Sequence, residues 1–142
     1  MSKILYTAHA TAIGGREGKV ETDDKKISLQ LSPPIPGQNG TNPEQLFASG
    51  YSACFGSAVA FVAKQQKLEL GPVEVQADIM LLQGEEGFSL GAVLDVTLPN
   101  IDQAMAQKLV TAAHQVCPYS KATRGNIIVT LKANGQELAK AA

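Results

Sequence analysis

The segment 42–62 most constrains the fold, because it predicts a helix that is apolar on almost every side. Asn42 is a good N-cap, and Pro43 suits the first position of a helix. The apolar residues then fall on all faces: Leu46, Phe47, Cys54, Phe55, Ala58, Phe61 and Val62. A helix with this pattern is usually buried. We therefore expect a central helix that needs other parts of the fold, or a second chain, to cover it.

Most of the remaining chain has strand character. Residues 73–98 alternate apolar and polar side chains on both sides of "GEEG" at 84–87, which predicts a long β-hairpin. A second hairpin is predicted over 19–31, after a strand over 3–13. The segment 126–135, "NIIVTLKANG", predicts a last strand and turn.

A second helix is predicted over 101–116, where apolar residues recur at helical spacing. Pro118 cannot continue this helix comfortably, so Cys117 is expected near its C-terminal end. Together these elements predict an α+β fold, with antiparallel sheet and two main helices in a single domain over 1–142.

Composition excludes several classes of function. The 142 residues carry a net charge of −1 with basic and acidic residues interspersed, so we expect no nucleic-acid partner. No run approaches the ~18 consecutive apolar residues of a membrane span, and no apolar leader opens the sequence. We therefore expect a cytoplasmic protein without membrane insertion. The histidines and cysteines lack the close spacing of a zinc site, so no metal is expected.

The two cysteines, Cys54 and Cys117, allow two interpretations. Free cysteines are often small buried core residues. Alternatively, Cys54 is a nucleophilic thiolate, which would need a cation nearby because burial alone raises the pKa of a thiol. Arg16, in the glycine-rich "GGREG", is a candidate for that cation. His114, one helical turn before Cys117, leaves a Cys–His pair open as a further alternative.

Three segments carry a resemblance to a known family: "GGREG", "TNPEQLFASGYSACF" and "HQVCPYSKATRGNI". In this order and at these separations they resemble the organic hydroperoxide resistance family, a branch of the OsmC superfamily. The resemblance covers nearly the whole chain. It implies the OsmC-like fold, an intertwined homodimer with the central helix at its interface, and a thiol-dependent peroxidase that reduces organic hydroperoxides to alcohols.

The resemblance also implies a role for individual residues. Cys54 matches the peroxidatic cysteine and Cys117 the resolving cysteine, while Arg16 matches an arginine that stabilises the thiolate and Glu44 a glutamate that orients it. It implies no bound cofactor, and a lipoyl-bearing protein as the electron donor. Three further residues are candidates for an apolar substrate channel: Phe47, Phe55 and Met80.

The spacing of two of these residues raises a geometric question. Glu44 and Cys54 lie ten positions apart, which is roughly 15 Å along an unbroken helix. A single arginine head cannot easily reach both. Either the helix is broken near Gly50, or the site combines residues of two subunits, and we expect the second.

Other functions remain possible at this stage. An OsmC-type peroxidase with a broader peroxide preference is one alternative within the superfamily. A non-catalytic redox sensor that signals through a Cys54–Cys117 disulfide is another. Two buried thiols without chemistry would be the plain structural interpretation.

Overall fold

The strands nearest the N-terminus form an antiparallel sheet. In the computed structural model, which describes residues 1–138, these strands are β1 (Ala10–Ile13), β2 (Lys19–Thr22) and β3 (Ser28–Gln30), in the order β1-β2-β3. The predicted hairpin over 19–31 is confirmed by the pairing of β2 with β3.

The predicted strand over 3–13 is confirmed only at its end. Residues 10–13 pair with β2. Because β2 is only four residues long, the pairing cannot extend further. The segment before β1 has no strand partner among residues 1–138, and Ile4, Leu5 and Tyr6 are each more than four-fifths exposed. This apolar segment therefore has no cover in an isolated chain.

The central helix α1 runs without a break over Pro43–Gln65. Its start is fixed as predicted, because the Asn42 side-chain oxygen accepts a hydrogen bond of 2.9 Å from the Gln45 backbone N–H. Tyr51, Phe55 and Val59 are fully buried. The break near Gly50 that the spacing of Glu44 and Cys54 allowed is absent from this helix.

By length and composition alone, α1 would also be able to cross a membrane. The core helices of soluble proteins pass the same test. The fully buried side chains of α1 pack in a hydrophobic core with residues of a second sheet and a second helix. This packing is that of a core helix.

The second sheet has the strand order β4-β5-β6-β7. Strands β4 (Glu74–Gly84) and β5 (Gly87–Thr97) form the predicted long hairpin, in register along their whole length. Most strand pairs are antiparallel, as predicted, but strand β6 (Ile128–Ala133) pairs with β5 in parallel. The reason is the helical crossover between β5 and β6, which returns the chain in the same direction. A short strand, β7 (Gln136–Glu137), closes the sheet.

Two helices form that crossover. Helix α2 (Gln103–Val116) is the predicted second helix, and the Asp102 side chain caps it by accepting from the Met105 backbone N–H. Helix α3 (Pro118–Thr123) was not predicted. Pro118 ends α2 and also occupies the first position of α3, where proline is favoured because no N–H is needed there.

The chain divides into two compact units, residues 1–46 and the part from Phe47 onward. The first contains the β1-β2-β3 sheet and the start of α1. The second contains the rest of α1, the four-stranded sheet, α2 and α3. A single domain over 1–142 stays a prediction.

Candidate active site

The two cysteines lie next to each other in the second unit. The sulfur atoms of Cys54 and Cys117 are 3.5 Å apart, within hydrogen-bonding distance for sulfur, and both residues are free thiols. Cys54 is partly exposed on α1, while Cys117 is fully buried. The fold therefore places one accessible sulfur in front of one hidden sulfur.

The sequence Cys117-Pro118 fixes the position of the buried thiol. A residue before proline is driven to an extended conformation, and Cys117 has φ −64° and ψ 123°. Its backbone N–H donates to the Ala113 carbonyl at the end of α2, and its carbonyl accepts from the Lys121 N–H in α3. Cys117 is thus held by both helices.

The surroundings of Cys54 in its own unit favour the neutral thiol. Burial raises the pKa of the Cys54 thiol above its ordinary value, a backbone hydrogen bond from Tyr119 lowers it, and the neighbouring Cys117 raises it further. The net direction is upward. A thiolate at neutral pH therefore needs a nearby cation to offset this shift.

A cluster of three buried hydroxyl groups lies beside the thiols. The Tyr51 hydroxyl is 2.8 Å from Ser120 Oγ and 3.0 Å from Thr123 Oγ1. Tyr51 and Ser120 are fully buried and Thr123 is 5% exposed. Burial raises the pKa of Tyr51, so its hydroxyl stays protonated at neutral pH. This hydroxyl cluster joins α1 to α3.

Aromatic rings line the same face of α1. The Tyr119 ring lies 5.7 Å from the Tyr51 ring and meets the Phe47 ring edge-on at 6.2 Å, between centroids. Phe47, Tyr51 and Cys54 follow each other at spacings of four and three residues, which places them on one side of the helix. The partly buried Phe47 therefore lies on the same side of α1 as Cys54.

The first unit holds a charged pair. Arg16 donates two hydrogen bonds to Glu44, Nη1 to Oε2 at 2.8 Å and Nη2 to Oε1 at 2.7 Å. This bidentate geometry is the strong form of the arginine–carboxylate interaction. The Arg16 side chain is 53% exposed, whereas that of Glu44 is 15% exposed. The pair therefore leaves much of the guanidinium open to a further partner.

Glycines shape the turn that carries Arg16. Arg16 lies in a 3-10 turn over Gly15–Glu17. Gly14 and Gly15 have φ of 85° and 57°, which glycine adopts at no steric cost. A Cβ on Gly18 would lie 1.6 Å from the Ile13 carbonyl oxygen. The pattern "GGREG" is therefore required by the backbone path as well as by the charge it presents.

Glu44 is held in its charged form. The hydrogen bonds from Arg16 lower the pKa of the Glu44 carboxyl, more than its partial burial raises it. The same contact raises the pKa of Arg16. Glu44 also lies in the first turn of α1, where a helix stabilises negative charge. The pair stays ionised throughout the neutral range.

Two of the predicted channel residues, Phe55 and Met80, differ in their exposure. Phe55 is fully buried in the core, where its ring packs against Tyr51. Met80 lies on the exposed face of β4, because side chains alternate along a strand and Val75, Ala77 and Ile79 take the face that packs on the core. The role of Phe55 and Met80 in a substrate channel stays a prediction.

His114 does not present a charged imidazole to Cys117. The residue is 3% exposed, and burial, together with the Arg124 charge, lowers the pKa of His114. Arg124 donates a hydrogen bond of 2.6 Å to the His114 carbonyl. Nδ1 of His114 has no hydrogen-bond partner among residues 1–138. The imidazole is therefore neutral and packed, and it offers no positive charge to a thiolate.

No group of histidine, cysteine and carboxylate side chains that would hold a metal ion occurs in the described part of the chain. The cysteines face each other, with no third ligand beside them on residues 1–138.

Sequence reasoning overlooked the hydroxyl cluster. Its signals were present: Tyr51 lies one turn before Cys54, and Ser120 and Thr123 lie three residues apart just after Cys117. Recognising them would have required α3, since only a helix over 118–123 turns both hydroxyls to the same side.

Comparison with known proteins places the chain in a family. Residues 36–132, more than half of the chain, match the family model of OsmC-like proteins. The organic hydroperoxide resistance protein of Xanthomonas axonopodis pv. citri is 52% identical over 134 residues, which cover 91% of this chain and 94% of the relative. OhrB of Bacillus subtilis is 48% identical over 132 residues, covering 90% and 97%.

Solved structures agree with this assignment. The crystal structure of OhrB of Bacillus subtilis superimposes with a TM-score of 0.88 at 47% identity, covering 92% of this chain and 99% of that one. The organic hydroperoxide resistance protein of Elizabethkingia anophelis gives a TM-score of 0.85 at 44% identity, covering 93% and 98%. The sequence motifs, the fold and these relatives agree, and the chain belongs to the organic hydroperoxide resistance family of OsmC-like proteins.

Proposed function

We propose that this protein is a thiol-dependent peroxidase that reduces organic hydroperoxides to alcohols. The observation that carries the proposal is the 3.5 Å separation of a partly exposed and a fully buried sulfur. The chain also belongs to a family whose relatives are named for organic hydroperoxide resistance, which supports the proposed activity. A role in resistance to peroxide stress follows from this activity.

In the first step, the Cys54 thiolate attacks the terminal oxygen of the hydroperoxide. The O–O bond breaks, the alcohol leaves after taking up a proton, and Cys54 becomes a sulfenic acid. Cys54 is the sulfur with access to solvent, so it is assigned the peroxidatic role.

In the second step, the Cys117 sulfur attacks the Cys54 sulfenic acid. A disulfide forms and water is released. Because the sulfurs are already 3.5 Å apart, and a disulfide is about 2 Å long, only a small approach is required. A dithiol, which we assign to a dihydrolipoyl group on a partner protein, then reduces this disulfide by exchange and leaves as its own disulfide.

Arg16 supplies the cation that Cys54 lacks in its own unit. A guanidinium near the sulfur lowers the thiol pKa and holds the peroxide oxygens as negative charge moves onto them. The bidentate pair with Glu44 fixes the orientation of Arg16, and its exposed part remains free for this contact.

The site is shared between two subunits. Helix α1 is continuous from Glu44 to Cys54, so roughly 15 Å of helix separates them. The Arg16–Glu44 pair of one subunit therefore activates Cys54 of the other in a homodimer. Exposed apolar residues give a second chain surface to cover, including Ile4, Leu5, Tyr6, Phe88 and Ile128. A structure of the dimer with all three residues of one subunit clustered together would contradict this arrangement.

The decisive experiment is steady-state turnover of tert-butyl hydroperoxide with dihydrolipoamide, beside the same assay with H₂O₂. Fast turnover of the organic peroxide, slow turnover of H₂O₂ and loss of both in Cys54→Ser are expected. Equal rates with the two peroxides would favour an OsmC-type peroxidase of broader preference. A disulfide that forms once without turnover would instead identify a redox sensor.

The cellular setting is part of the same proposal. A peroxidase that depends on a reducing dithiol works where thiols are kept reduced, which is the cytoplasm. The substrates are expected to be fatty-acid, alkyl or aryl hydroperoxides, whose apolar bodies suit the packed rings of Phe47, Tyr51 and Tyr119. Phe47, Phe55 and Met80 stay the candidates for the channel.

A further inference from the structure

The hydroxyl cluster of Tyr51, Ser120 and Thr123 has no part in the proposed chemistry, although burying three hydroxyl groups has an unfavourable free energy of desolvation. Three hydroxyl groups are removed from water and satisfied mainly by each other, with Thr123 Oγ1 also 3.2 Å from the Ser120 carbonyl. Buried hydroxyls stabilise a fold only when every partner is present. Such a cluster fixes the two elements that it joins in one relative position.

Those two elements are the ones that carry the sulfurs. Tyr51 lies one turn before Cys54 on α1, and Ser120 and Thr123 follow Cys117 on α3. Tyr119, between the hydroxyl cluster and Cys117, provides the backbone hydrogen bond to Cys54. Any shift of α3 along α1 would change both the distance between the sulfurs and this hydrogen bond.

Helix α3 cannot hold its position by itself. It has six residues, fewer than an isolated helix needs to be stable. Its contact with α1 is close, since a Cβ added to Gly50 would lie 2.7 Å from the Tyr119 hydroxyl oxygen. The Tyr51 hydroxyl, with two partners on α3, is a polar link between the two helices, in addition to the backbone hydrogen bond from Tyr119 to Cys54.

We propose that Tyr51 is a positioning residue for the thiol pair: its hydroxyl holds α3 against α1 so that the Cys117 sulfur stays next to the Cys54 sulfur. Tyr51 touches neither the peroxide nor the reductant in this assignment. The consequence for turnover rests on the proposed function, but the positioning can be measured on the thiols directly.

The variant Tyr51→Phe keeps the aromatic ring and removes the hydroxyl that bonds to Ser120 and Thr123. Ser120 and Thr123 then lose a buried partner, and α3 loosens on α1. We expect the thiol pKa of Cys54, read from the pH profile of iodoacetamide alkylation, to rise, and the thiolate fraction at neutral pH to fall roughly tenfold. We also expect slower closure of the Cys54–Cys117 disulfide by diamide, at a pH where Cys54 is ionised in both proteins.

Two further variants keep the test sharp. Val110→Ala truncates a fully buried side chain of α2 and lowers thermal stability while it removes none of the hydroxyls of the cluster, so it should leave the thiol pKa of Cys54 and the rate of disulfide closure unchanged. Thr123→Val removes one hydroxyl at nearly constant volume. It should change the thiol pKa of Cys54 and the rate of disulfide closure in the same direction as Tyr51→Phe, but by a smaller amount. It also serves if Tyr51→Phe does not fold.

The proposal is overturned if the variants of the hydroxyl cluster that fold leave both readouts unchanged, or if Val110→Ala moves them equally. Neither alkylation nor diamide oxidation requires a hydroperoxide. A protein that fails the peroxidase assay would therefore still report whether Tyr51 positions its thiols, and the two failures can be told apart.

Discussion

The Cys117 sulfur lies 3.5 Å from the Cys54 sulfur although 63 positions separate the two residues in the sequence. One sulfur is fully buried and the other partly exposed. Under the proposed function this asymmetry assigns the two thiols different roles, with the partly exposed Cys54 meeting the peroxide and the buried Cys117 shielded from direct oxidation.

Cys117→Ser should therefore stop the reaction after its first step. Cys54 is still oxidised by one equivalent of tert-butyl hydroperoxide, but the sulfenic acid has no sulfur to react with and persists. Mass spectrometry after dimedone trapping should detect the adduct in the variant and a disulfide in the wild type. Because the serine hydroxyl would be buried where a thiol was, a loss of stability of about 1–3 kcal/mol is expected.

The matched control is Cys54→Ser, which should give neither adduct nor disulfide. If Cys117→Ser sustains normal turnover with dihydrolipoamide, Cys117 is not the resolving residue. The reductant would then act directly on the sulfenic acid.

Native-state alkylation should distinguish a working pair from two core cysteines. Cys54 is expected to react with iodoacetamide in the folded protein, and Cys117 only after unfolding in guanidinium, because its side chain has no exposed surface. Peptide mass spectrometry identifies the labelled site. Slow labelling of both thiols, with no increase at higher pH, would favour two packing residues without chemistry.

Local patterns in the sequence were sufficient for the elements that position Cys54. The alternation over 73–98 predicts the long hairpin, and Asn42-Pro43 predicts the start of α1. Pro118 correctly predicts the end of α2, but proline also begins helices, so α3 was missed. Pro118 was thus a local signal for the start of α3 as well as for the end of α2.

Non-local contacts are the part that the sequence could not provide. The parallel pairing of β5 with β6 depends on where the crossover returns the chain. The segment 3–9 has strand character but lacks a partner strand in the part of the chain that the structure describes. The meeting of Cys54 and Cys117 likewise depends on packing across 63 positions, and only the family resemblance pointed to it beforehand.

The pH dependence of the reaction should follow the Cys54 thiol. Its own unit raises the thiol pKa, so the unreactive neutral form is favoured until the pH rises through that value. Arg16→Gln removes the proposed activating cation, and the rate–pH curve should move to higher pH. At neutral pH the second-order rate constant of the variant should fall roughly tenfold for each pH unit that its curve moves. The difference between the rate constants of variant and wild type should become smaller as the pH rises.

Lys19→Gln is the control for charge, because it removes one positive charge from an exposed position on β2 in the same unit as Arg16. Its curve should coincide with that of the wild type. If Arg16→Gln also leaves the curve in place, Arg16 does not activate Cys54.

Glu44 should affect the rate–pH curve of the peroxidase reaction only by orienting Arg16. The pKa of Glu44 is lowered by the arginine, so the carboxylate stays charged until the pH falls below the ordinary carboxyl range. Any stability that the ion pair contributes is present above that range and is lost as the pH falls through the lowered value. Glu44→Gln should therefore slow the reaction across the whole neutral range without adding a new titration there.

Two glycines of α1 offer a direct test of the contact between Gly50 and Tyr119. An added Cβ at Gly50 would lie 2.7 Å from the Tyr119 hydroxyl and 3.2 Å from its ring, whereas at Gly56 the nearest atom is a Val75 methyl at 3.6 Å. Both changes to alanine gain up to about 1 kcal/mol of helix propensity. Gly56→Ala should realise this gain, and Gly50→Ala should lose it because the Tyr119 ring has to move.

The same pair of variants tests whether the Tyr119 ring shapes access to Cys54. Tyr119 is 41% exposed, so its ring can swing towards solvent without unfolding α3. In Gly50→Ala we expect a changed ratio of kcat/KM for cumene hydroperoxide against tert-butyl hydroperoxide, because the ring that moves packs against Phe47 beside the thiols. Gly56→Ala should keep the wild-type ratio. Equal ratios in all three proteins would place Tyr119 outside the path of the substrate.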